Sequence, residues 1–380
     1  DWSDDQAIVL AHMIGDGSVI ARQPIRYATK DPANIEVMTT SSTRAFDVRV
    51  SRDDYAKARC TTLRFTSLRP VTHGVRNPIA AWMDELGLFD KRSHEKFVPE
   101  AVFSLPKRQI ALFLRHLWAT DGSIQVLRNG RGGRIYYATT SRRLADDVAR
   151  LLLRFGLNAR IRVARKSGYR DSYHVDISGA ADQKVFLRRI GSHGERGLMG
   201  ARLLAILETV SENTNRDTVP REIWDDVREV IANKGMTHRE FAAAMGTQFC
   251  GSTMWKHSPS RERLAKVAQV LNNADLEMIA TNDVYWDEIV SVESVGEQEV
   301  FDATVLGRHN FIADGVVVHN SLEQDADMVV LLHREDAYER ESPRAGEADF
   351  IVAKHRNGPT ATVTVAFQGH YSRFVDMAQA

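Results

Sequence analysis

The chain has 380 residues, enough for two or three domains of ordinary size, and its 50 basic residues balance 50 acidic residues. Two widely separated cysteines, Cys60 and Cys250, exclude a disulfide framework and favour a reducing compartment. No apolar run approaches the roughly 20 residues of a membrane-spanning helix, and the N-terminus lacks a secretory signal pattern. We therefore expect a cytoplasmic protein without a membrane partner.

The balanced total charge conceals a strong local imbalance. Residues 101–200 hold 19 basic and 7 acidic side chains, whereas residues 217–320 hold 9 basic and 17 acidic ones. A basic excess of this size is typical of a module that binds phosphate groups. A solvated basic surface without a partner is the alternative interpretation.

Two helical segments end in the same arrangement of residues. Apolar residues recur at helical spacing over residues 4–14 and again over residues 109–119. Each segment leads to an aspartate, Asp16 or Asp121, followed by Gly-Ser and a strand pattern. Two facing carboxylates would form an oxygen-rich site for Mg²⁺ in phosphodiester hydrolysis, with Lys96 or another base positioning the water. The alternative is that each aspartate only caps a turn.

Strand and helix patterns follow the second aspartate. Residues 134–139 alternate as a strand does, residues 141–155 have helical spacing, and residues 159–163 alternate basic and apolar side chains. A strand with one basic face suits a surface that lies on a DNA duplex.

The composition changes to short helical patterns between residues 217 and 285. Residues 236–242 and 260–268 predict two amphipathic helices, the first with a capping box of Thr237 and Glu240. This pair resembles a helix-turn-helix unit, and an ordinary helical spacer is the alternative.

Short strand patterns dominate the rest of the chain. They cover residues 288–295, 299–305, 310–313 and 316–318, then residues 328–332, 349–353 and 361–367. The last two flank Asn357-Gly358, which predicts a hairpin turn.

The two aspartate-bearing segments identify a family resemblance. The runs VLAHMIGDG at residues 9–17 and LRHLWATDG at residues 114–122 resemble the two signature helices of LAGLIDADG homing endonucleases. The resemblance implies that Asp16 and Asp121 bind the catalytic metal, and the block around Lys96 resembles the lysine-bearing segment between the motifs. His12 departs from the small residue that is usual at the packed helix interface.

A second constellation surrounds Asn320. An asparagine side chain can attack its own carbonyl group and cut the chain when a neighbouring histidine protonates the leaving amine. A strand that ends in His-Asn-Ser is, taken alone, also an ordinary turn signal. The whole run from Asp302 resembles the C-terminal splicing blocks of inteins. The resemblance implies that Asn320 cyclises with help from His319, that Asp302 and His309 support them, and that Ser321 is the host nucleophile.

Inteins of this kind also need an N-terminal nucleophile and a Thr-x-x-His block. Nothing before residue 1 is present in this sequence to supply them. We therefore expect a chain truncated just ahead of the endonuclease, which needs its missing N-terminal portion to splice.

The last 60 residues resemble part of a bacterial replicative helicase of the DnaB type. The resemblance rests on residues 321–330 and 351–358, and it implies that Lys354 and Arg356 reach the γ-phosphate of a nucleotide on a neighbouring subunit. A surface hairpin with two basic residues is the alternative. No GxxxxGK[ST] loop occurs in the sequence, so binding of ATP and Mg²⁺ is expected only of the complete parent helicase.

Together these features predict an α+β multidomain chain. Its parts would be a pseudo-twofold αββαββα endonuclease, a helical DNA-recognition segment, the last strands of a Hint splicing domain and a fragment of a RecA-like α/β ATPase domain, at residues 1–216, 217–285, 286–320 and 321–380. The expected activity is Mg²⁺-dependent cleavage of duplex DNA at the intein-less helicase gene, and the helicase part would join a hexamer after splicing. Two alternatives stay open: a decayed endonuclease that acts only as a C-terminal intein half, and an inactive helicase fragment.

Overall fold

The computed structural model describes most of the chain. It covers residues 2–55, 60–69, 76–128, 130–210, 217–287, 289, 291–299, 310–313, 316–319, 328–335, 342–355, 358–368 and 373–375. For Tyr55, Asn310, Val317, His319, Val329, Ala353, Lys354 and His355 it describes the main chain only. The chain divides into two compact units, Asp1–Ser291 and Val292–Ala380.

The first half of the N-terminal domain begins with a helix that Ser3 caps. Ser3 and Gln6 form the capping box that their spacing predicts, so the first turn has its main-chain donors satisfied. The elements are α1 (Asp4–Gly15), β1 (Gly17–Ser18), β2 (Arg26–Thr29), α2 (Pro32–Ala45), β3 (Val48–Tyr55), β4 (Cys60–Ser67), α3 (Pro78–Glu85) and α4 (Glu100–Phe103). The strands form an antiparallel sheet of order β1-β2-β4-β3.

The second half repeats the same sequence of elements. They are α5 (Lys107–Asp121), β5 (Gly122–Val126), β6 (Gly133–Thr139), α6 (Arg142–Leu153), β7 (Arg160–Ala164), β8 (Ser172–Ile177), α7 (Ala180–Arg189) and α8 (Gly194–Leu207). The second antiparallel sheet has the order β5-β6-β8-β7, which matches the first sheet strand for strand. The predicted pseudo-twofold αββαββα arrangement is confirmed.

The two halves share one hydrophobic core, and α1 packs against α5 within it. Leu10 of α1 and Leu114 of α5 are fully buried. Gly15 permits the close approach, because a Cβ atom at this position would lie 2.0 Å from the Oγ1 atom of Thr120. The missing side chain therefore lets the C-terminal ends of both helices meet.

A second hydrophobic cluster organises the helices that follow. They are α9 (Ile223–Asn233), α10 (His238–Ala244), a 3-10 helix (Gly251–Trp255), α11 (Arg261–Leu271) and α12 (Ala274–Thr281). Thr237 and Glu240 form the predicted capping box of α10. The predicted helix pair corresponds to α10 and α11, and the 3-10 helix lies between them in sequence.

The C-terminal unit contains two antiparallel sheets among its described residues. They consist of β9 (Asn310–Ala313), β10 (Val316–His319), β11 (Met328–His333), β12 (Glu347–His355), β13 (Ala361–Gln368) and β14 (Arg373–Val375). The order of the larger sheet is β11-β12-β13-β14, which confirms the predicted hairpin of the last segment.

The predicted strand over residues 288–295 is wrong where the structure describes it. Residues 291–295 have no strand conformation, and Val292 is 90% exposed. Alternating apolar residues form a strand only when a neighbouring strand accepts and donates the main-chain hydrogen bonds. No such neighbour pairs with residues 291–295 in the described part of the chain.

Candidate active site at the ends of the two motif helices

Asp16 and Asp121 both lie at the C-terminal ends of the packed helices, here called the motif helices α1 and α5. Asp16 is the C-cap of α1, and its main-chain N–H donates to the carbonyl oxygen of His12 at 3.0 Å. Asp121 is the last residue of α5, directly before β5. Both aspartates keep access to solvent, so a ligand can reach their carboxylates.

The protein around these carboxylates disfavours their negative charge. Partial loss of hydration and, to a smaller extent, the charge of Asp121 together raise the pKa of Asp16 to about 6. Desolvation also raises the pKa of Asp121 above its usual range. The two helix ends are therefore close enough for one carboxylate to influence the other, as the duplicated motif predicts.

Lys96 lies between the motifs in sequence and is buried against the end of α1. Its Nζ atom lies within hydrogen-bond distance of four main-chain carbonyl oxygens of the α1 end, those of Met13 (3.0 Å), Ile14 (2.8 Å), Gly15 (3.3 Å) and Gly17 (2.8 Å). Burial lowers the pKa of Lys96 to about 8, while the charges of Asp121 and Asp16 act in the opposite direction. The ammonium group thus satisfies the free carbonyls of the helix end and adds positive charge beside the carboxylates.

Helix α6 and its N-cap residue hold the Lys96 segment in place through one hydrogen bond each. The Oγ atom of Ser141, the N-cap of α6, donates to the carbonyl oxygen of Lys96 at 2.6 Å. The main-chain N–H of Val98 donates to the Oδ2 atom of buried Asp147 at 3.0 Å. The lysine of the first half is therefore positioned by the second half.

Arg196 is a site residue that sequence reasoning missed. It lies in the first turn of α8, and its Nη1 atom donates to the carbonyl oxygen of Ala119 at 2.6 Å. Its charge lowers the pKa of both Asp16 and Asp121 and so opposes the effect of desolvation. No local motif surrounds Arg196 in the sequence, so only the packing of α8 reveals its place.

The N-terminus of α8 is fixed to the first half of the domain. The Oδ2 atom of Asp31 accepts a hydrogen bond from the main-chain N–H of Glu195 at 2.8 Å. Gly194 has a φ of +64°, and a Cβ atom there would lie 2.0 Å from the same carboxylate oxygen. Asn34 of α2 also donates to the Ala119 carbonyl, at 3.1 Å, so the α5 end receives donors from two elements.

The chemistry of the two carboxylates fits a hard divalent cation. Mg²⁺ is usually bound by one or two carboxylates together with water and substrate phosphates. Raised pKa values at solvent-accessible aspartates identify a place where added positive charge is favourable. Across the described ranges, no group of three or more His, Cys, Asp or Glu side chains could hold a metal ion by itself.

Basic residues lie on the face of each sheet that points away from the core. Six arginines share these positions in the two sheets: Arg26, Arg49, Arg64, Arg134, Arg160 and Arg162. Neighbouring positions on the same strands, such as Leu63 and Ile135, are buried in the core. The alternation that predicted a basic strand at residues 159–163 is therefore present in both halves.

Most of the predicted splicing and nucleotide-binding residues lie outside the part of the chain that the structure describes. Asp302, His309, Asn320, Ser321 and Arg356 lie outside the described residues. His319 ends β10, and Lys354 lies in β12 opposite Val329. Only the main chain of these two residues is described.

Comparisons with known proteins identify two parts of the chain. Residues 108–191 match the family described as LAGLIDADG-like domain, and residues 314–376 match the DnaB-like helicase C terminal domain. None of the described helices is both long and apolar enough to cross a membrane.

Relatives of considerable length also match. The replicative DNA helicase DnaB of Nostoc sp. is 42% identical over 379 residues, which is 99% of this chain and 43% of that protein. Protein RecA of Mycobacterium bovis is 25% identical over 348 residues, or 83% of this chain and 42% of that protein. The chain thus spans less than half the length of these curated relatives.

One solved structure that is similar to this chain is that of I-DmoI in complex with DNA and Mn. The match has 16% sequence identity and a TM-score of 0.36, and it covers 50% of this chain and 98% of the I-DmoI chain.

The chain contains a LAGLIDADG-like domain followed by DnaB-like helicase C-terminal sequence, which is the organisation consistent with a DnaB intein that carries a LAGLIDADG endonuclease.

Proposed function

We propose that the chain is a site-specific endonuclease that cuts double-stranded DNA at the intein-less site of the helicase gene. The observation that carries this proposal is the pair formed by Asp16 and Asp121 at the ends of α1 and α5. The exposed basic faces of the two sheets support a DNA partner, because most contacts of a DNA-binding protein go to phosphates.

The carboxylates of Asp16 and Asp121 would hold Mg²⁺. The bound ion would stabilise the attacking and leaving oxygens of phosphodiester hydrolysis. Lys96 and Arg196 satisfy the carbonyl groups at the two helix ends, so they keep the carboxylates at fixed positions. Their positive charges also favour the approach of a phosphate to the carboxylate pair and the orientation of a water beside it.

The proposed boundaries follow the changes in composition. The endonuclease would occupy residues 1–216, the helical DNA-recognition segment residues 217–285, the splicing strands residues 286–320 and the helicase part residues 321–380. Similarity over most of the chain to portions of two proteins with different names, DnaB and RecA, supports an inserted element that occurs in more than one host.

The experiment is cleavage of a plasmid that carries the uninterrupted helicase gene by the full chain with Mg²⁺. The wild-type chain should linearise this plasmid and leave one that carries the interrupted gene intact. Asp16→Asn and Asp121→Asn should each abolish cleavage, while Asp84→Asn, an exposed residue paired with Arg76, should not. Unchanged cleavage by both active-site variants would disprove the proposal.

Protein splicing is a second candidate function. Its supporting observation is the β9–β10 hairpin, which ends at His319 directly before Asn320. We propose that Asn320 cyclises with His319 as its assistant, that Asp302 and His309 support this step, and that Ser321 provides the host hydroxyl. The reaction would require an N-terminal splicing portion as its partner.

The residues after the splice junction would complete the parent helicase. We propose that Lys354 and Arg356 contact the γ-phosphate of ATP on a neighbouring subunit once the spliced protein has joined a hexamer. The position of Lys354 near the C-terminal end of β12, which pairs with β13, is compatible with this role. ATP and its Mg²⁺ would be bound by the complete helicase.

A further inference from the structure

Asp176 on β8 is a buried carboxylate that pairs with two arginines on the basic face of the second sheet. Its Oδ1 atom lies 3.4 Å from the Nε atom of Arg134, and its Oδ2 atom lies 3.2 Å from the Nε atom of Arg162. The Asp176 side chain is 3% exposed, whereas those of Arg134 and Arg162 are 46% and 62% exposed. A buried carboxylate is costly unless it is paired, so both guanidinium groups are held to it.

The strand register shows that this cluster faces away from the core. Asp176 is paired with Tyr136 on one neighbouring strand and with Arg160 on the other. Val175 and Tyr137, which point to the opposite face, are fully buried. The buried carboxylate therefore lies beneath the arginines on the face that carries the proposed DNA contacts.

Each of the two arginines contacts Asp176 through its Nε atom. The contact with Asp176 uses the Nε group of each side chain, and the terminal Nη1 and Nη2 groups carry four of the five N–H donors of a guanidinium group. The guanidinium group of Arg134 also lies 4.7 Å above the ring of Tyr136, which stacks on His174 at 4.9 Å. These contacts fix the plane of Arg134 as well as its position.

The first sheet contains a related aspartate–arginine pair, in which the carboxylate lies on the edge strand and is 37% exposed. The Nε atom of Arg64 on β4 lies 2.6 Å from the Oδ2 atom of Asp53 on β3. The strands β4 and β3 occupy the positions in the first sheet that β8 and β7 occupy in the second. Each half of the domain therefore has a carboxylate that forms an ion pair with the Nε group of an arginine on this face.

We propose that Asp176 and Asp53 are positioning residues for base recognition, one in each half of the DNA site. Asp176 presents the terminal edges of Arg134 and Arg162 to guanines in the major groove, and Asp53 does the same with Arg64. Arginine recognises guanine by donating two hydrogen bonds to O6 and N7, and this requires a fixed guanidinium plane. The inference rests on the proposed endonuclease function, because it assigns the bases that the basic faces recognise.

The carboxylates should contribute to specificity and not to affinity. A negative charge near DNA opposes the phosphates, so Asp176 weakens binding to any sequence. In return, it prevents the arginines from turning to phosphate groups, which carry no sequence information. Loss of the carboxylate should therefore relax the base preference while non-specific binding stays equal or becomes tighter.

The experiment is a binding selection with full-length protein carrying Asp121→Asn, which prevents cleavage, on a library of randomised duplexes. The parent should enrich one asymmetric sequence. Addition of Asp176→Asn should lower the guanine preference by about tenfold at positions in one half of that sequence. Asp53→Asn should do so only in the other half. Asp171→Asn, whose carboxylate forms an exposed pair with Arg165, is the matched control and should leave the sequence unchanged.

Two further variants keep the inference testable if Asp176→Asn fails to fold. Arg134→Lys and Arg162→Lys keep the positive charge but lose the planar fork, so each should relax guanine preference at its own position. An unchanged sequence with Asp176→Asn and with both lysine variants would overturn the inference. If the parent enriches no sequence at all, the proposed endonuclease function fails instead, so the two failures are distinguishable.

Discussion

The Nε2 atom of His12 on α1 lies 3.0 Å from the Nδ1 atom of His116 on α5, so a hydrogen bond between two imidazoles joins the motif helices. His12 is fully buried and its Nδ1 atom lies 2.8 Å from the hydroxyl group of Tyr27. The contacts are satisfied when Tyr27 donates to His12 and His12 donates to His116. A histidine where small residues are usual is therefore compatible with close packing, because the partner helix supplies a second histidine.

This histidine pair predicts that acid destabilises the domain. Burial lowers the pKa of His12 well below its usual value, and His116 and His193 act in the same direction. Burial, together with the charges of His193 and Arg115, lowers the pKa of His116 to about 3. In the unfolded chain both imidazoles take up protons near pH 6.5. As the pH falls below this value, stability should decrease by about 1.4 kcal/mol per pH unit for each histidine, until the pH approaches the folded pKa values.

The measurement is urea unfolding of the full chain between pH 8 and pH 5, with amide labelling of α1 peptides as the readout. A double variant with His12→Leu and His116→Leu should lose most of the pH dependence, because both titrating groups are removed together. His257→Gln changes an exposed histidine and should keep the wild-type dependence. The same pH dependence in the double variant would contradict the prediction.

Gly15→Ala should destabilise the contact between the motif helices. The added methyl group would lie 2.0 Å from the Oγ1 atom and 2.4 Å from the Cβ atom of Thr120, so one helix must move. Overpacking of this kind costs about 1–3 kcal/mol, and the shift would displace the neighbouring Asp16 carboxylate. Gly132→Ala is the matched control, because its nearest neighbour would be 3.9 Å away. Unfolding and DNA cleavage by each variant would check the prediction, and equal stability of the two would disprove it.

The motif helices and their aspartates were predictable because local signals agree. Helical spacing, a capping box at Ser3 and a repeated ending at Asp16 and Asp121 all depend on residues close together in the sequence. The pseudo-twofold order of elements follows from that repetition. The strands beyond residue 310 were also predictable, since short apolar runs with many β-branched residues coincide there with a partner strand that the structure pairs.

Contacts between distant elements account for what the sequence did not reveal. Arg196 reaches the site because Asp31 fixes the start of α8, a contact between residues far apart in the chain. Lys96 was predicted at the site, but its contacts with the carbonyl groups of α1 depend on the geometry of a helix end. Residues 291–295 show the opposite case, where a local alternation predicts a strand and the described part of the chain provides no partner.

Lys96→Met should impair cleavage more than DNA binding. The substitution leaves the carbonyl groups at the α1 end without their ammonium partner and removes a positive charge beside the carboxylates. Loss of one such positioned group typically lowers the rate by about 100-fold or more. Because Lys96 is buried and not on the exposed sheet faces, binding to a duplex should change little. Single-turnover cleavage and equilibrium binding measure the two effects, and Lys91→Met, an exposed lysine, is the control.

Arg196→Met should have a similar effect through the other helix end. It removes the donor to the Ala119 carbonyl and the second positive charge near Asp16 and Asp121. Arg196→Lys should restore part of the rate, since the charge is kept without the guanidinium geometry. A cleavage rate equal to wild type in the methionine variant would show that α8 plays no part in the site.

Asn320→Ala should prevent cleavage of the chain at the proposed splice junction. In the wild-type chain the Asn320 side-chain nitrogen would attack the Asn320 carbonyl carbon, form a succinimide and release the amine of Ser321, which His319 protonates. Intact-mass measurements after incubation with an N-terminal splicing portion should therefore show separation after Asn320 in the wild type only. Asn233→Ala, at an exposed position at the end of α9, should behave as the wild type does. If the wild-type chain stays whole with that portion present, the proposed cyclisation of Asn320 is contradicted, because the reaction fails although its required partner has been supplied.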